Sequence, residues 1–212
     1  MAGNEWHRYI VQCTMSDLEH LDHFYVKQRI TMMVNRYEIR AAAADGGEGP
    51  VVAVAQQKRF AFKEQVTFYA DEAKRVPVFG FKARQRMDLG ATYDVTDAAG
   101  TPIGWFRKQF GASLLRSTWE VGAADGTQAT GRERSPGVAI ARRLWGFLPI
   151  VDSLPSPFVF HFDFTDAAGQ VLMSSVRKRS LRDRYDVHVP GGRLDGRVAA
   201  AMAVALDALQ SR

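Results

Sequence analysis

The segment VAAAMAVAL, Val198 to Leu206, runs nine residues without a polar side chain, and Asp207 ends it. Spanning a bilayer takes roughly 20 apolar residues, so this run is too short to cross one. Alanine, leucine and methionine favour helix, and Gly191, Gly192 and Asp195 supply a start signal ahead of them. A helix that is apolar on every side has no face for water. The rest of the chain must therefore wrap around it. At about 1.5 Å of rise per residue, Asp195 to Ser211 makes a rod of about 25 Å.

What precedes the rod reads as strands that repeat one pattern. The phrase TDAAG occurs at Thr96–Gly100 and again at Thr165–Gly169, each time after an aromatic-acid-apolar triplet, Tyr93-Asp94-Val95 and Phe162-Asp163-Phe164. An acid between two apolar residues faces the opposite side of a strand. The Asp and Gly that follow suit a tight turn, because Asp bonds its own backbone and Gly accepts positive φ. ADGGEG (Ala44–Gly49) and AADG (Ala123–Gly126) do the same.

In PFVFHFDF, Phe158, Phe160, Phe162 and Phe164 share one face, while Val159, His161 and Asp163 share the other. Burying each ring contributes on the order of 1.5–3 kcal/mol, which fixes the register. LGATYDVT alternates in the same way, with Leu89, Ala91, Tyr93 and Val95 on one face. Strands are also expected at Phe24–Ile30, Met32–Ile39, Val51–Gln57, Val66–Ala70, Val78–Ala83, Ile103–Gln109, Ser117–Gly122, Thr127–Glu133, Val171–Arg177 and Arg184–Val189. Short helices are expected at Asp17–His23, from the Ser16–Glu19 capping box, and at Gly137–Leu148, between Pro136 and Pro149.

The fold expected is thus mainly β: about twelve antiparallel strands in a closed barrel, with the hydrophobic C-terminal helix threaded through its centre. The chain of 212 residues divides into an N-terminal extension, residues 1–23, and a barrel domain, residues 24–212. The single cysteine, Cys13, cannot form an internal disulfide, and MAGNEWHRYI has no apolar signal-peptide core. The expectation is a cytoplasmic protein, peripheral at a membrane where it meets one, without a transmembrane segment.

Three runs carry a family likeness: QKRFAFKEQVTFYAD (Gln57–Asp71), FGFKARQRMDLGATYDVTDAAGTPIGWFRKQFGASLLRSTWEV (Phe79–Val121) and AVALDALQSR (Ala203–Arg212). They resemble the LURP-one-related branch of the tubby C-terminal-like superfamily, over roughly Phe24 to Arg212. The resemblance implies a twelve-stranded barrel around a hydrophobic C-terminal helix. It also implies a binding module, since tubby domains bind phosphoinositide headgroups through surface basic residues and the related scramblases are linked to lipid movement. The cysteine cluster and proline-rich N-terminal extension of scramblase-like proteins are missing here, which speaks against lipid scrambling.

No GxGxxG, P-loop or GxSxG occurs, and no residue set points to catalysis, a cofactor or a metal. His20 and His23 near Asp17, Glu19 and Asp22 read as a solvated helix face, since an i, i+3 pair alone is not a metal site. His161 and His188 share strand faces with Asp163 and Asp186 and read as outward ion pairs.

The positive functional signal is basic. The formal charge is +5, and Arg177, Lys178, Arg179, Arg182 and Arg184 crowd one hairpin. Arg107 with Lys108, Arg142 with Arg143, and Lys82 with Arg84 and Arg86 form further groups. Arginines at strand ends can clamp phosphate bidentately. If the helix fills the barrel, recognition has to take place outside. The partners expected are an anionic phospholipid headgroup or, alternatively, an acidic protein partner met through a protein-interaction surface. Nucleic acid would also need aromatic stacking platforms, which the basic groups lack.

Overall fold

The alternation predicted from sequence builds one closed sheet. The computed structural model describes residues 18–30, 34–58, 65–84, 92–109, 118–133, 161–178 and 184–210. Its strands are β1 (His23–Ile30), β2 (Val34–Ala42), β3 (Glu48–Lys58), β4 (Gln65–Tyr69), β5 (Pro77–Ala83), β6 (Thr92–Asp97), β7 (Pro102–Gln109), β8 (Thr118–Ala123), β9 (Gln128–Glu133), β10 (His161–Thr165), β11 (Val171–Lys178) and β12 (Arg184–His188). Each pairs antiparallel with the next, and β1 pairs with β12, which closes a twelve-stranded barrel. Closure gives every described strand a neighbour on both sides.

The pleat sorts side chains into two rows. Phe24 faces Val187 and Val26 faces Tyr185 across the closing seam, and all four point inward. The inner row continues through Phe68, Phe79, Phe81, Val95, Phe106, Trp119, Phe162 and Phe164, every one buried. Phe68 stacks on Phe79 at 4.1 Å, Tyr93 stacks on Phe106 at 5.0 Å, and Phe81 meets Phe106 edge-on at 5.1 Å. Such ring pairs add about 0.5–1.5 kcal/mol each beyond their buried area.

The apolar tail is the axis of this core. Helix α1 (Gly196–Gln210) lies inside the barrel, and from Val198 to Leu206 no residue exceeds 3% exposure. Alanine on every side lets the large inward rings approach the helix backbone. Gly104 on β7 is bare for the same reason, since a Cβ there would lie 2.8 Å from Val198 Cγ2.

Polar contacts pin both ends of α1. Asp195 caps the first turn, accepting from Arg197 N at 2.8 Å, and its carboxylate also holds the Arg197 guanidinium at 2.6 Å. At the other end Asp207, 6% exposed, accepts from Tyr185 Oη at 2.6 Å and Tyr37 Oη at 2.9 Å.

The repeated phrase makes the turns it promised. Asp97 Oδ1 accepts from Ala99 N and Thr101 N, and Asp166 Oδ1 accepts from Ala168 N and Gln170 N. Gly100 and Gly169 take φ of 87° and 78°, the left-handed region that a side chain would strain.

Two expectations change. His23 opens β1 instead of closing a helix, and Leu18 and Glu19 are the helical residues described before it. The hairpin ladder of β2 and β3 runs on to Ala42 and Glu48, past the predicted Ile39 and Val51, with register shifts beyond Ile39. Its tip laps over the outside of β1, where Tyr25 Oη donates to the Gly46 carbonyl at 2.5 Å. The expected helix Gly137–Leu148 and the rings of Phe158 and Phe160 lie outside the described residues.

Candidate functional site

Antiparallel order gives the barrel two chemically different ends. The tight turns, including those at Asp97, Asp125 and Asp166, and the entry of α1 at Asp195 lie at one. Turn chemistry selects aspartate, and Asp71 and Glu72 add to that end. The opposite end, where β5, β7, β9 and β11 finish, carries Lys82, Arg84, Arg107, Lys108, Arg132, Arg177 and Lys178. The turn end holds cations as well, Lys74, Arg75 and Arg193, but Arg75 and Arg193 are paired there with Asp71 and Asp166, so the excess of cations is at the opposite end.

The pleat divides the basic hairpin that the sequence presents as one cluster. Arg177 pairs in register with inward Tyr185, whereas Lys178 pairs with Arg184 on the outer row. Lys108 lies likewise on the inner row opposite Trp119, its Nζ 5.7 Å from the indole ring centroid, while Arg107 faces out opposite Glu120. A one-residue step exchanges faces. Arg179, Arg182, Arg142 and Arg143 lie outside the described residues, as does Arg86.

The outward cations are engaged to different degrees. Lys178 Nζ lies 3.3 Å from Asp186, and Arg184 Nη1 lies 3.2 Å from Glu48 with its guanidinium over the Tyr25 ring. Burial works to raise the Glu48 carboxyl, but hydrogen bonds from Lys27 and Arg184 outweigh it and hold the group below the usual carboxylate range. Arg107 Nε donates to Glu120 and its guanidinium lies over the Trp105 ring, and its remaining donors bond no other described residue. Lys82 and Arg132 are exposed and make no ion pair with a described residue.

One concave feature lies among these groups. Gly80 pairs with Thr67 and Thr96 on the outer face of β4, β5 and β6, and a shallow groove of about 530 Å³ runs over these strands. Lys82, Arg84 and Asp94 line one part of it. Arg84 grips Asp94 with contacts of 2.7–2.9 Å, which raises the guanidinium's affinity for its proton, while the Lys82 ammonium stays open to the groove.

Histidine pairing takes a form that sequence reasoning half saw. His161 lies 3.3 Å from Asp163 and His188 lies 3.1 Å from Asp186, both within one strand. The unforeseen member is His23, whose Nε2 also reaches Asp186 at 2.9 Å across the closing seam. Its separation of 163 residues from Asp186 left no local signal.

A twelve-stranded antiparallel barrel filled by its own C-terminal helix defines a module of the tubby-like class. The LURP-one-related family model matches residues 51–207, from within β3 to Asp207 of α1, and the chain belongs to that family. The tubby-like and scramblase superfamily is the known context of this family. No curated protein matches the chain. Among the described residues no helix is long and apolar enough to cross a membrane.

Proposed function

We propose that this barrel is a non-enzymatic binding module that recognises anionic phospholipid headgroups with the cationic side chains at the end opposite its tight turns. The observation that supports this reading most is that the end opposite the tight turns carries Lys82 and Arg132, exposed cations with no ion pair to a described residue, whereas at the aspartate-rich turn end Arg75 and Arg193 are paired with Asp71 and Asp166. Lys82, Arg132 and the Arg107 donors that bond no other described residue offer phosphate a set of charge-assisted hydrogen bonds. The filled interior supports recognition on the outside, because the helix occupies the space that a ligand-carrying barrel would leave.

The test is flotation of the full chain with vesicles of phosphatidylcholine alone and with added phosphatidylserine or phosphoinositide, at low and high salt. Binding should need the anionic lipid, weaken with salt, and fall several-fold in a Lys82→Ala/Arg107→Ala/Arg132→Ala variant. These residues are exposed, so the fold should tolerate the change. Equal binding to neutral vesicles, or none to either kind, would remove the reading. A stoichiometric acidic protein partner captured without vesicles would favour the protein-interaction alternative.

A further inference from the structure

The charge polarity leaves one cluster unused. His23 opens β1, His188 closes β12, and their Cα atoms are register partners across the seam that shuts the barrel. Asp186, two residues before His188, shares its outward face. His23 Nε2 and His188 Nε2 both converge on Asp186 Oδ1, at 2.9 and 3.1 Å, and the two imidazole rings lie 3.9 Å apart. Lys178 Nζ holds the other carboxylate oxygen, Oδ2, at 3.3 Å. One oxygen is thus oriented by an ammonium and the other is presented to two imidazole nitrogens.

We infer that His23, Asp186 and His188 form a binding site for a late first-row divalent cation, with Zn²⁺ as the physiological choice. The donor set argues for the metal class: imidazole nitrogen with a single carboxylate suits zinc, cobalt, nickel and copper, whereas calcium and magnesium take shells of oxygen. Distances argue for feasibility. A tetrahedral ion with ligands at about 2.0–2.1 Å separates neighbouring donor atoms by about 3.3 Å. The three donor atoms here all lie within 4.8 Å of one another.

The rings are tilted by 18°, so bringing both lone pairs onto one ion takes rotation about χ2, a broad and inexpensive torsion in histidine. Binding displaces the Nε2 proton of each imidazole that carries one there. Three protein ligands leave a fourth position for water. Because the ligands come from the first and last strands, the ion would tie the barrel's closing seam, and binding would stabilise the folded chain by linkage.

The experiment is a titration of the tag-free full chain with Co²⁺ as a spectroscopic probe, without lipid, followed by competition with Zn²⁺. Expected are the intense visible bands of four-coordinate cobalt, their loss on adding zinc, and a rise in melting temperature with either metal. His23→Ala and His188→Ala should each weaken binding by more than about tenfold. His161→Ala, which removes the other histidine of a strand-face ion pair, should leave binding unchanged. Both ligand histidines are partly exposed, and circular dichroism checks that the variants fold. The inference is overturned by the weak spectrum of six-coordinate cobalt, or by binding that survives in both ligand variants. Vesicle binding is read separately, so this result does not depend on the lipid proposal.

Discussion

Tyr185 on the last strand donates a hydrogen bond of 2.6 Å to Asp207 of the central helix, joining barrel wall and axis through a buried carboxylate. Tyr37 completes the site from the second strand, and Gln28 donates to the Tyr37 oxygen at 3.3 Å. Burial first, and then the neighbouring Asp207 charge, push the Tyr37 hydroxyl far above the ordinary phenol range, so it stays a donor.

Replacing Asp207 with Ala leaves two buried hydroxyls without their acceptor, and each orphaned group costs about 1–3 kcal/mol. The expected loss is about 3 kcal/mol in urea unfolding. Asp207→Asn, which keeps an acceptor oxygen, should lose less. Equal stability of the Ala variant and the parent chain would show that the tyrosines find other partners.

Gly196 begins α1 directly against the segment before β1. A Cβ there would run into the Leu18 carbonyl oxygen and lie 2.9 Å from that of Leu21, and backbone cannot swing aside as a side chain can. Gly196→Ala should cost about 1–3 kcal/mol as overpacking. Gly126→Ala is a useful contrast, since nothing lies within 4 Å of it and its φ of 91° imposes only local strain. That variant should lose about 1 kcal/mol, and thermal melts of the pair should rank them in this order.

Phe106 is fully buried between Phe81 and Tyr93. Phe106→Ala should cost about 3–5 kcal/mol through lost burial and the cavity left behind. Exposed Lys82→Ala should stay within about 0.5 kcal/mol of the parent. Denaturant titrations of the two separate core from surface.

Glu48 gives a pH signature. Its folded carboxyl titrates below the usual range because Lys27 and Arg184 outweigh its burial. Unfolding returns it to about 4.3. A group depressed in the folded state adds stability that is fully present above the unfolded value and is lost as pH falls through the folded one. The gap between the parent chain and Glu48→Gln should therefore be widest near neutrality and close as pH is lowered from about 5 to 3. A gap that stays constant over that range would contradict the pairing.

Local chemistry made the fold legible. Apolar alternation gave β6 and β10 their inner faces, Asp97 and Asp166 turned where their spacing said, and the uncharged run could only be an interior helix. The site was harder to read because its groups meet through register. Arg177 and Lys178 are neighbours in the chain and point to opposite sides of the wall, and His23 meets Asp186 only because the first strand lies beside the last. Lys82 carried the right charge in the sequence, but the groove beside it is assembled from residues of three strands, β4, β5 and β6, that only the sheet brings together.

The position of the helix in the chain bears on how the molecule is made. All twelve strands leave the ribosome before the rod they enclose, so the growing chain can zip hairpins yet has nothing to close around. Its greasy inner wall stays uncovered until the helical segment arrives, and that interval is when a chaperone would have most to hold.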